Sequence, residues 1–199
     1  MVSIFRMSDI LSCPVLEAIH IVLNPVESSD ASDLFAMWTK EGFDILGGFI
    51  RPPDLDSVRG SLEYFRSLNE SGFYYKWTLR LRQTNEFLGE LELYPLKPQI
   101  RPWMEWGVGY CLKSDAWSRG YMTEALQRLL KFAFEEKLIL RLKADVHASN
   151  TRSIKLLKKV GFQHEGVQIS KSFHDGKIHD MNLMACSRVS YLFPKTLQI

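Results

Sequence analysis

The chain has 199 residues, of which 46% are hydrophobic, and this length and composition suit one domain with a substantial core. Its 25 basic and 23 acidic residues leave a formal charge of +2, and the basic residues are spread along the chain, so a nucleic-acid partner is not expected. No apolar run could span a bilayer or serve as a secretory signal, and the 3 scattered cysteines predict no disulfide or metal site, so a cytoplasmic protein without membrane contact is expected.

Residues 1–18 are predicted to be an irregular lead-in to a single domain that spans residues 19–199. Ser28, Ser29 and Asp30 are N-cap residues before a first helix. From residue 75 onward, apolar and polar residues alternate with the period of a strand. The predicted elements of this half are a strand at 19–23, helices at 31–40 and 55–69, and hairpin strands at 75–82 and 86–94.

The C-terminal half is predicted to contain a strand–helix–strand unit, a short helix and a second hairpin. The predicted elements are strands at 106–112 and 140–147 on either side of a helix at 123–137, then a helix at 150–160 and hairpin strands at 168–173 and 178–189. A strand, a crossover helix and a strand usually pair in parallel, so the flanking hairpins make the sheet mixed. Ligands of such sheets bind at the carboxyl ends of parallel strands, which here is the loop at 117–123.

The loop between the first of these strands and its helix has the features of an anion site. Its sequence from Asp115 to Ala125 is DAWSRGYMTEA. The N–H groups at a helix start have no partner within the helix, and the helix dipole places partial positive charge there. Gly120 lets the backbone approach an anion closely. The sequence therefore predicts a loop that binds pyrophosphate.

Further sequence blocks accompany this loop in a fixed order. The blocks are GYCL at 109–112, WSRGYMTEAL at 117–126, KFAF at 131–134, NTRS at 150–153, and VGF at 160–162 followed by EG at 165–166. Together they resemble the GCN5-related N-acetyltransferase (GNAT) family, and their wording is similar to the RimJ/RimL-like branch of ribosomal-protein N-terminal acetyltransferases. The match is specific from about residue 105 to 166 and weaker from 19 to 104.

The resemblance implies an α+β, three-layer fold, with helices on both sides of a mixed sheet of about seven strands. The sheet would be splayed between the strands at 106–112 and 140–147, and the pantetheine arm of acetyl-CoA would lie in the opening. The residues implied to bind acetyl-CoA are Tyr110, Cys111, Leu112, Trp117, Ser118, Arg119, Gly120, Tyr121, Met122, Thr123, Asn150 and Ser153. Met122 departs from the family, which generally has Ala or Gly there, although the contact would use the backbone.

Gly107 and Gly109 flank Val108 in the strand before the loop. Glycines inside a strand indicate a bulge or the close approach of another backbone, or they make room for a large side chain. Both explanations remain open from the sequence. A bulge would free an N–H group near Tyr110 or Cys111, which could then stabilise the oxyanion of acyl transfer.

The resemblance implies direct attack of an amine on the acetyl thioester, and it suggests two catalytic residues. Ser153 would donate a proton to the departing thiolate, although it could equally be an ordinary first-turn residue. Relatives often carry an acid at the position of Gly107, and Glu105 on the same strand face is the substitute candidate for the base. Asn150 would contact pantetheine, cap its helix, or do both.

The predicted function is therefore acetyl transfer from acetyl-CoA to a primary amine, either a protein N-terminus or a small molecule. The acceptor pocket is expected between residues 24–75 and the turn at 174–177, in a monomer or a homodimer. The alternative is a non-catalytic acyl-CoA-binding module, which Gly107 and Met122 keep open. A general nucleotide binder is disfavoured because the sequence has neither GxxxxGK[ST] nor GxGxxG.

Overall fold

The structure is a computed structural model that describes residues 12–40, 51–96, 104–174 and 176–194. The strands are β1 (Leu16–Glu17), β2 (Ile21–Pro25), β3 (Tyr75–Leu81), β4 (Phe87–Pro95), β5 (Glu105–Leu112), β6 (Arg141–His147), β7 (Gln163–His174) and β8 (Lys177–Ser187). The helices are α1 (Ala31–Trp38), α2 (Leu55–Ser71), α3 (Tyr121–Lys131), α4 (Thr151–Lys159) and α5 (Arg188–Leu192). Residues 41–50 and 97–103, whose glycines and prolines are typical of loops, and Asp175 of the predicted hairpin turn lie outside the described residues.

The eight strands form one sheet in the order β1-β2-β3-β4-β5-β6-β8-β7. β5 and β6 pair in parallel, and every other neighbouring pair in this order is antiparallel. The parallel pairing ends at Gly107 and Lys143, and beyond this point the two strands separate. The mixed and splayed sheet that the sequence predicts is therefore confirmed.

The eighth strand comes from the segment predicted to be an irregular lead-in. Leu16 and Glu17 pair with Leu23 and Val22 of β2, and the Leu16 side chain is buried in the core. The Trp77 indole N–H also donates a hydrogen bond of 2.7 Å to the Pro14 carbonyl. Two residues are too few to show a strand period, so only the tertiary contacts reveal that this segment belongs to the fold.

Helices cover both faces of the sheet and create two hydrophobic clusters. α3 and α4 pack on one face and share a hydrophobic cluster with Tyr75, Trp77 and Leu79 of β3. α1 and α2 pack on the other face, where Lys76 and Thr78 of β3 are buried as well. Both sides of the central strands are therefore enclosed. Within the described ranges, no helix is long and apolar enough to cross a bilayer.

The helix predicted at 123–137 begins earlier and changes character before its end. Gly120, with φ at 86°, is its N-cap, and the α-helical part runs from Tyr121 to Lys131. A π-helical turn follows at Phe132–Glu136, in which the Lys137 N–H donates to the Phe132 carbonyl at 2.9 Å. The early start matters most, because it places the N–H groups of the first turn directly behind Gly120.

Candidate functional site

A cavity of about 480 Å³ lies at the carboxyl end of β5, beside the opening between β5 and β6. Its wall is formed by Met37, Lys40, Tyr110, Cys111, Leu112, Lys113, Ser114, Ala116, Trp117, Ser118, Gly120, Tyr121, Met122, Thr123, Asn150, Arg152, Ser153, Lys155 and Leu156. The wall includes every residue predicted to bind acetyl-CoA except Arg119, which is exposed. The fold thus brings together predicted residues that lie as far apart in the sequence as Tyr110 and Ser153.

The loop before α3 has the backbone conformation of an anion site. Ser118 has φ at 62° and Gly120 has φ at 86°, so both lie in the left-handed region. Left-handed residues close together in a loop turn their N–H groups toward one concavity, a geometry that binds phosphate and other anions. An L side chain in this region is strained, which marks Ser118 as a residue held there by its surroundings.

The first turn of α3 adds further donors to this concavity. The Glu124 N–H makes the first helical hydrogen bond, to the Gly120 carbonyl at 3.1 Å. The N–H groups of Tyr121, Met122 and Thr123 precede that bond in the chain, so they have no acceptor within the helix. The Met122 side chain is buried in the core beneath the loop, so this bulky residue leaves its backbone facing the cavity. The donor set suits a pyrophosphate group.

The opening between β5 and β6 supplies backbone groups along the other wall. The Lys113 N–H donates to the Leu88 carbonyl of β4 at 2.9 Å, and the alternation of an antiparallel ladder then turns the Cys111 N–H toward β4 as well. The same alternation turns the Tyr110 N–H toward β6. Because the last β5–β6 pair is Gly107 with Lys143, the Tyr110 N–H faces the opening.

The two glycines of β5 do not form a bulge, so that expectation is wrong. The pairing of β4 with β5 runs without a register shift from Gly89 and Leu112 to Pro95 and Trp106. A Cβ added to Gly107 would lie 2.4 Å from the Tyr94 ring. The glycines therefore make room for large side chains of β4, which was the other explanation, and the splay rather than a bulge exposes the backbone.

Ser153 meets Tyr110 inside the cavity. Their hydroxyl oxygens are 2.7 Å apart, and either group can be the donor. The Ser153 N–H donates to the Asn150 Oδ1 at 3.1 Å, so Asn150 is the N-cap of α4 and holds the first turn of that helix. Burial raises the pKa of Tyr110 to about 12, which keeps its hydroxyl protonated at neutral pH.

Cys111 also lines the cavity, but its thiol is not activated. Burial raises its pKa to about 12, and the negative charge of Glu90 acts in the same direction. The thiolate is the nucleophilic form of cysteine, and almost none is present at neutral pH at such a pKa. Cys111 packs against the hydrophobic cluster of α1 and α2, so its side chain behaves as a small apolar group.

Glu105 lies apart from the other sequence-predicted residues. Its Oε1 accepts a hydrogen bond of 3.1 Å from the Arg141 Nε and lies 4.0 Å from the Lys143 Nζ. Arg141 also pairs with Glu165. Glu105 is not part of the cavity wall, so the structure does not bring it together with Ser153.

Residues of α1 and of the α4 start complete the wall near the loop. The Lys40 Nζ donates to the Ser114 Oγ at 2.8 Å. The Arg152 guanidinium lies 4.6 Å from the centre of the Trp117 ring, a cation–π distance. Met37 and Lys40 were not predicted as wall residues. The spacing of apolar and polar residues around them is the same at a cavity wall as at the end of an ordinary amphipathic helix.

The opposite face of β5 borders a buried ionic cluster, formed by Lys76, Glu90 and Glu92. The Lys76 Nζ lies 2.8 Å from the Glu90 Oε2 and 3.2 Å from the Glu92 Oε2. The Trp38 indole N–H donates to the Glu90 Oε1 at 2.8 Å. In the described part of the chain, no group of three or more His, Cys, Asp or Glu residues is arranged to hold a metal ion.

Known proteins are similar to this chain in sequence and in fold. Residues 20–163 match the acetyltransferase (GNAT) domain. The chain is 24% identical over 170 residues to the uncharacterized N-acetyltransferase YoaA of Bacillus subtilis, an alignment that covers 85% of this chain and 94% of YoaA. It is 26% identical over 178 residues to the probable N-acetyltransferase YjcK of the same organism, covering 86% of this chain and 96% of YjcK.

Two solved structures illustrate the shared fold. RimL, the ribosomal L7/L12 α-N-protein acetyltransferase in complex with coenzyme A, superposes with a TM-score of 0.79 at 18% identity, over 87% of this chain and 98% of RimL. Spermidine N-acetyltransferase of Vibrio cholerae, in complex with CoA and spermine, superposes with a TM-score of 0.75 at 16% identity, over 87% of this chain and 98% of that one. With the cavity, the splayed sheet and the family match in agreement, the chain belongs to the GNAT family and is an acetyl-CoA-dependent N-acetyltransferase.

Proposed function

We propose that this enzyme transfers the acetyl group of acetyl-CoA to a primary amine by direct attack in a ternary complex, with a protein N-terminus or a small molecule as the acceptor. The observation that carries the proposal is the continuous cavity between the anion-binding loop and the opening beside Tyr110. Neighbours of the same fold are named for a ribosomal-protein α-amine and for spermidine. Both kinds of acceptor present an amine.

The cavity wall suggests how the donor would be held. The backbone around Ser118 and Gly120 and the first turn of α3 would bind the pyrophosphate. The pantetheine arm would lie along β5, where it replaces β6 as the neighbour of the exposed backbone. Arg152 on the Trp117 ring and Lys155 supply positive charge for the remaining phosphate.

The chemistry needs an oxyanion donor, a proton for the leaving thiolate and a neutral amine. The Tyr110 N–H faces the opening and would stabilise the oxyanion. The linked hydroxyls of Tyr110 and Ser153 would supply the proton. An α-amine of pKa about 8 is roughly one-tenth neutral at pH 7, whereas a lysine amine near 10.4 is neutral only in about one molecule in a few thousand. An α-amine therefore makes the smaller demand on a base.

A specific observation favours one other candidate function, a non-catalytic acyl-CoA-binding module. Glu105, the base that the sequence suggested, is engaged with Arg141 and Lys143 and lies outside the cavity wall. Such a module would bind acetyl-CoA through the same backbone groups. It would differ only in the absence of turnover.

Two measurements, made one after the other, test the proposal. Calorimetry with acetyl-CoA, CoA and ATP tests the ligand, and we expect binding of the first two and little or none of ATP. Release of free thiol from acetyl-CoA is then followed with a panel of amines that includes a peptide with a free N-terminus and spermidine. Binding of acetyl-CoA with thiol release for no amine would establish the binding module instead, and no binding of coenzyme A at millimolar concentration would refute both.

A further inference from the structure

The Glu92 side chain lies directly on the backbone of β5. Glu92 of β4 pairs with Gly109 of β5 across the ladder. A Cβ added to Gly109 would lie 2.5 Å from the Glu92 Oε1 and 2.8 Å from its Cγ. Any side chain at residue 109 would therefore displace the carboxylate, and glycine is what allows the carboxylate to lie there.

The Glu92 carboxylate lies next to the Tyr110 N–H, which faces the opening between β5 and β6. Gly109 immediately precedes Tyr110, whose N–H is turned toward the gap between β5 and β6. Because successive side chains of a strand alternate between faces, Glu92 lies on the face of the sheet opposite the Tyr110 and Ser153 hydroxyls. A thioester carbonyl at the Tyr110 N–H would therefore have hydroxyl donors on one side and a carboxylate on the other.

The two oxygens of Glu92 have different surroundings. The Tyr74 hydroxyl and the Lys76 Nζ both donate to Oε2. No described residue donates to Oε1, the oxygen that faces Gly109. Burial raises the pKa of Tyr74 and the negative charge of Glu92 raises it further, so Tyr74 stays a hydrogen-bond donor. Glu92 is thus held by one oxygen and has the other available.

The charge around Glu92 suits an amine. Lys76 is 2% exposed and is the cation of a cluster that also contains the carboxylates of Glu90 and Glu92. One positive and two negative charges leave one negative charge in excess. Tyr94 is a further titratable neighbour. Burial raises its pKa most, and the negative charges of Glu92 and Asp145 raise it further, so it adds no charge at neutral pH. A cationic or polar amine is therefore attracted to this side of β5.

We propose that Glu92 is the general base of the acetyl transfer. This inference rests on the function proposed above. The Glu92 Oε1 takes a proton from the bound ammonium, and the neutral amine nitrogen then forms a bond to the carbonyl carbon of the thioester. The carbon–sulfur bond breaks, and the thiolate takes a proton from the Ser153 hydroxyl, whose oxygen regains one from the nitrogen of the adduct. Glu92 gives its proton to water, so the products are the acetylated amine and free coenzyme A.

The test is Glu92→Gln in the full chain, with the peptide or spermidine as the acceptor. General-base catalysis contributes about 10²–10⁴-fold, so kcat/KM at pH 7 is expected to fall at least about 100-fold. The Kd of acetyl-CoA should stay within about twofold, because Glu92 lies outside the cavity wall. The loss should shrink as the pH rises toward the pKa of the amine, since the neutral amine needs no base. A purely structural defect would not follow the pKa of the acceptor.

Matched variants separate the role of Glu92 from that of the cluster. Glu90→Gln removes the same charge from the same lysine, and it should not reproduce the pH-dependent loss. Gly109→Ala retains the carboxylate but displaces it, and it should lower kcat about tenfold or more without changing the Kd of acetyl-CoA. If Glu92→Gln does not fold, as judged by thermal unfolding, Gly109→Ala carries the test.

The outcomes that would overturn the proposal are distinct. Glu92 is not the base if Glu92→Gln retains a third or more of kcat/KM from pH 6.5 to 9, if folded Gly109→Ala turns over like the wild type, or if Glu105→Gln alone shows the pH-dependent loss. Each of these leaves the acetyltransferase function intact. A wild-type enzyme that binds acetyl-CoA and releases thiol with none of the amines refutes both the function and this inference.

Discussion

The two sides of β5 present different kinds of polar group. On the side of α3 and α4, the donors are backbone N–H groups of one loop and one helix turn, from Ser118 to Thr123. On the side of α1 and α2, the contacts are side chains from separate strands, namely Lys76 of β3 and Glu90 and Glu92 of β4. One face depends on backbone shape and the other on buried charge.

This difference determines how each face responds to substitution. A backbone donor remains when its side chain changes, and Met122 illustrates this because its side chain points into the core. A buried ion pair is the opposite case, since removal of one partner leaves the other charged in a poorly solvated place. We therefore expect loss of the Lys76 charge to act mainly through stability, and changes in the loop before α3 to act mainly through the affinity for acetyl-CoA.

The largest expected effect is that of Lys76→Met. This change leaves Glu90 and Glu92 without their buried cation, and breaking a buried pair in this way costs about 3–5 kcal/mol of unfolding free energy. Urea unfolding at pH 7 measures the loss. Lys159→Met removes an exposed cation and should change the free energy by less than about 0.5 kcal/mol. Equal effects of the two variants would show that the cluster contributes little.

Gly120→Ala tests the face that depends on backbone shape. An L side chain at φ 86° costs about 1–2 kcal/mol, although the surrounding space is empty. We expect the loop to relax and the Kd of acetyl-CoA to rise about tenfold, as measured by calorimetry. Gly60→Ala is the matched control, because Gly60 also has empty space around it but lies within the helix α2. It should leave the Kd unchanged and stabilise the protein slightly.

Ser153→Ala tests whether the hydroxyl pair takes part in the chemistry. The hydrogen bond from the Ser153 N–H to Asn150 remains, so α4 keeps its cap. We expect kcat to fall about tenfold, less than the usual factor of about 10²–10⁴ for acid–base catalysis, because the Tyr110 hydroxyl remains; the Kd of acetyl-CoA should stay the same. Ser153→Thr keeps a hydroxyl and should recover most of the activity. An Ala variant with wild-type kcat would leave Tyr110 or water as the proton donor.

The same contrast explains what the sequence predicted. The cavity wall around Ser118, Gly120 and Asn150 was predictable because these residues lie within a few residues of their own strand ends and helix starts. The overall fold followed from strand and helix periods in the same way. Both kinds of signal are local, and local signals do not depend on knowing which strands become neighbours.

The ionic cluster of Lys76, Glu90 and Glu92 was not predictable, for a physical reason. In β3 the alternation of apolar and polar residues predicts a polar outer face, yet Lys76 and Thr78 are buried because α1 and α2 cover that face. The contacts of Lys76 with Glu92 join residues of different strands. The meaning of Gly109 likewise depends on Glu92 across the ladder, which the sequence of β5 alone does not contain.

The smallest expected effect concerns Glu124, which lies in the first turn of α3. In the structure its Oε1 accepts hydrogen bonds from the His20 N–H at 2.6 Å and the Ile21 N–H at 3.2 Å, so it joins α3 to the start of β2. Burial acts to raise its pKa, but the hydrogen bonds from His20 and Ile21 outweigh burial and the pKa is lowered. The charged form therefore stabilises the fold.

A carboxyl group with a lowered pKa contributes stability above its ordinary pKa and loses that contribution as the pH falls through the folded-state value. We expect Glu124→Gln to cost about 1 kcal/mol at pH 7, and the difference from the wild type should close below about pH 4, as measured by urea unfolding across this range. A difference that stays constant from pH 7 to pH 3 would mean that shape, not charge, joins α3 to β2. In that case the contact of Glu124 with β2 would resemble the loop before α3, where the backbone and not a charged side chain is decisive.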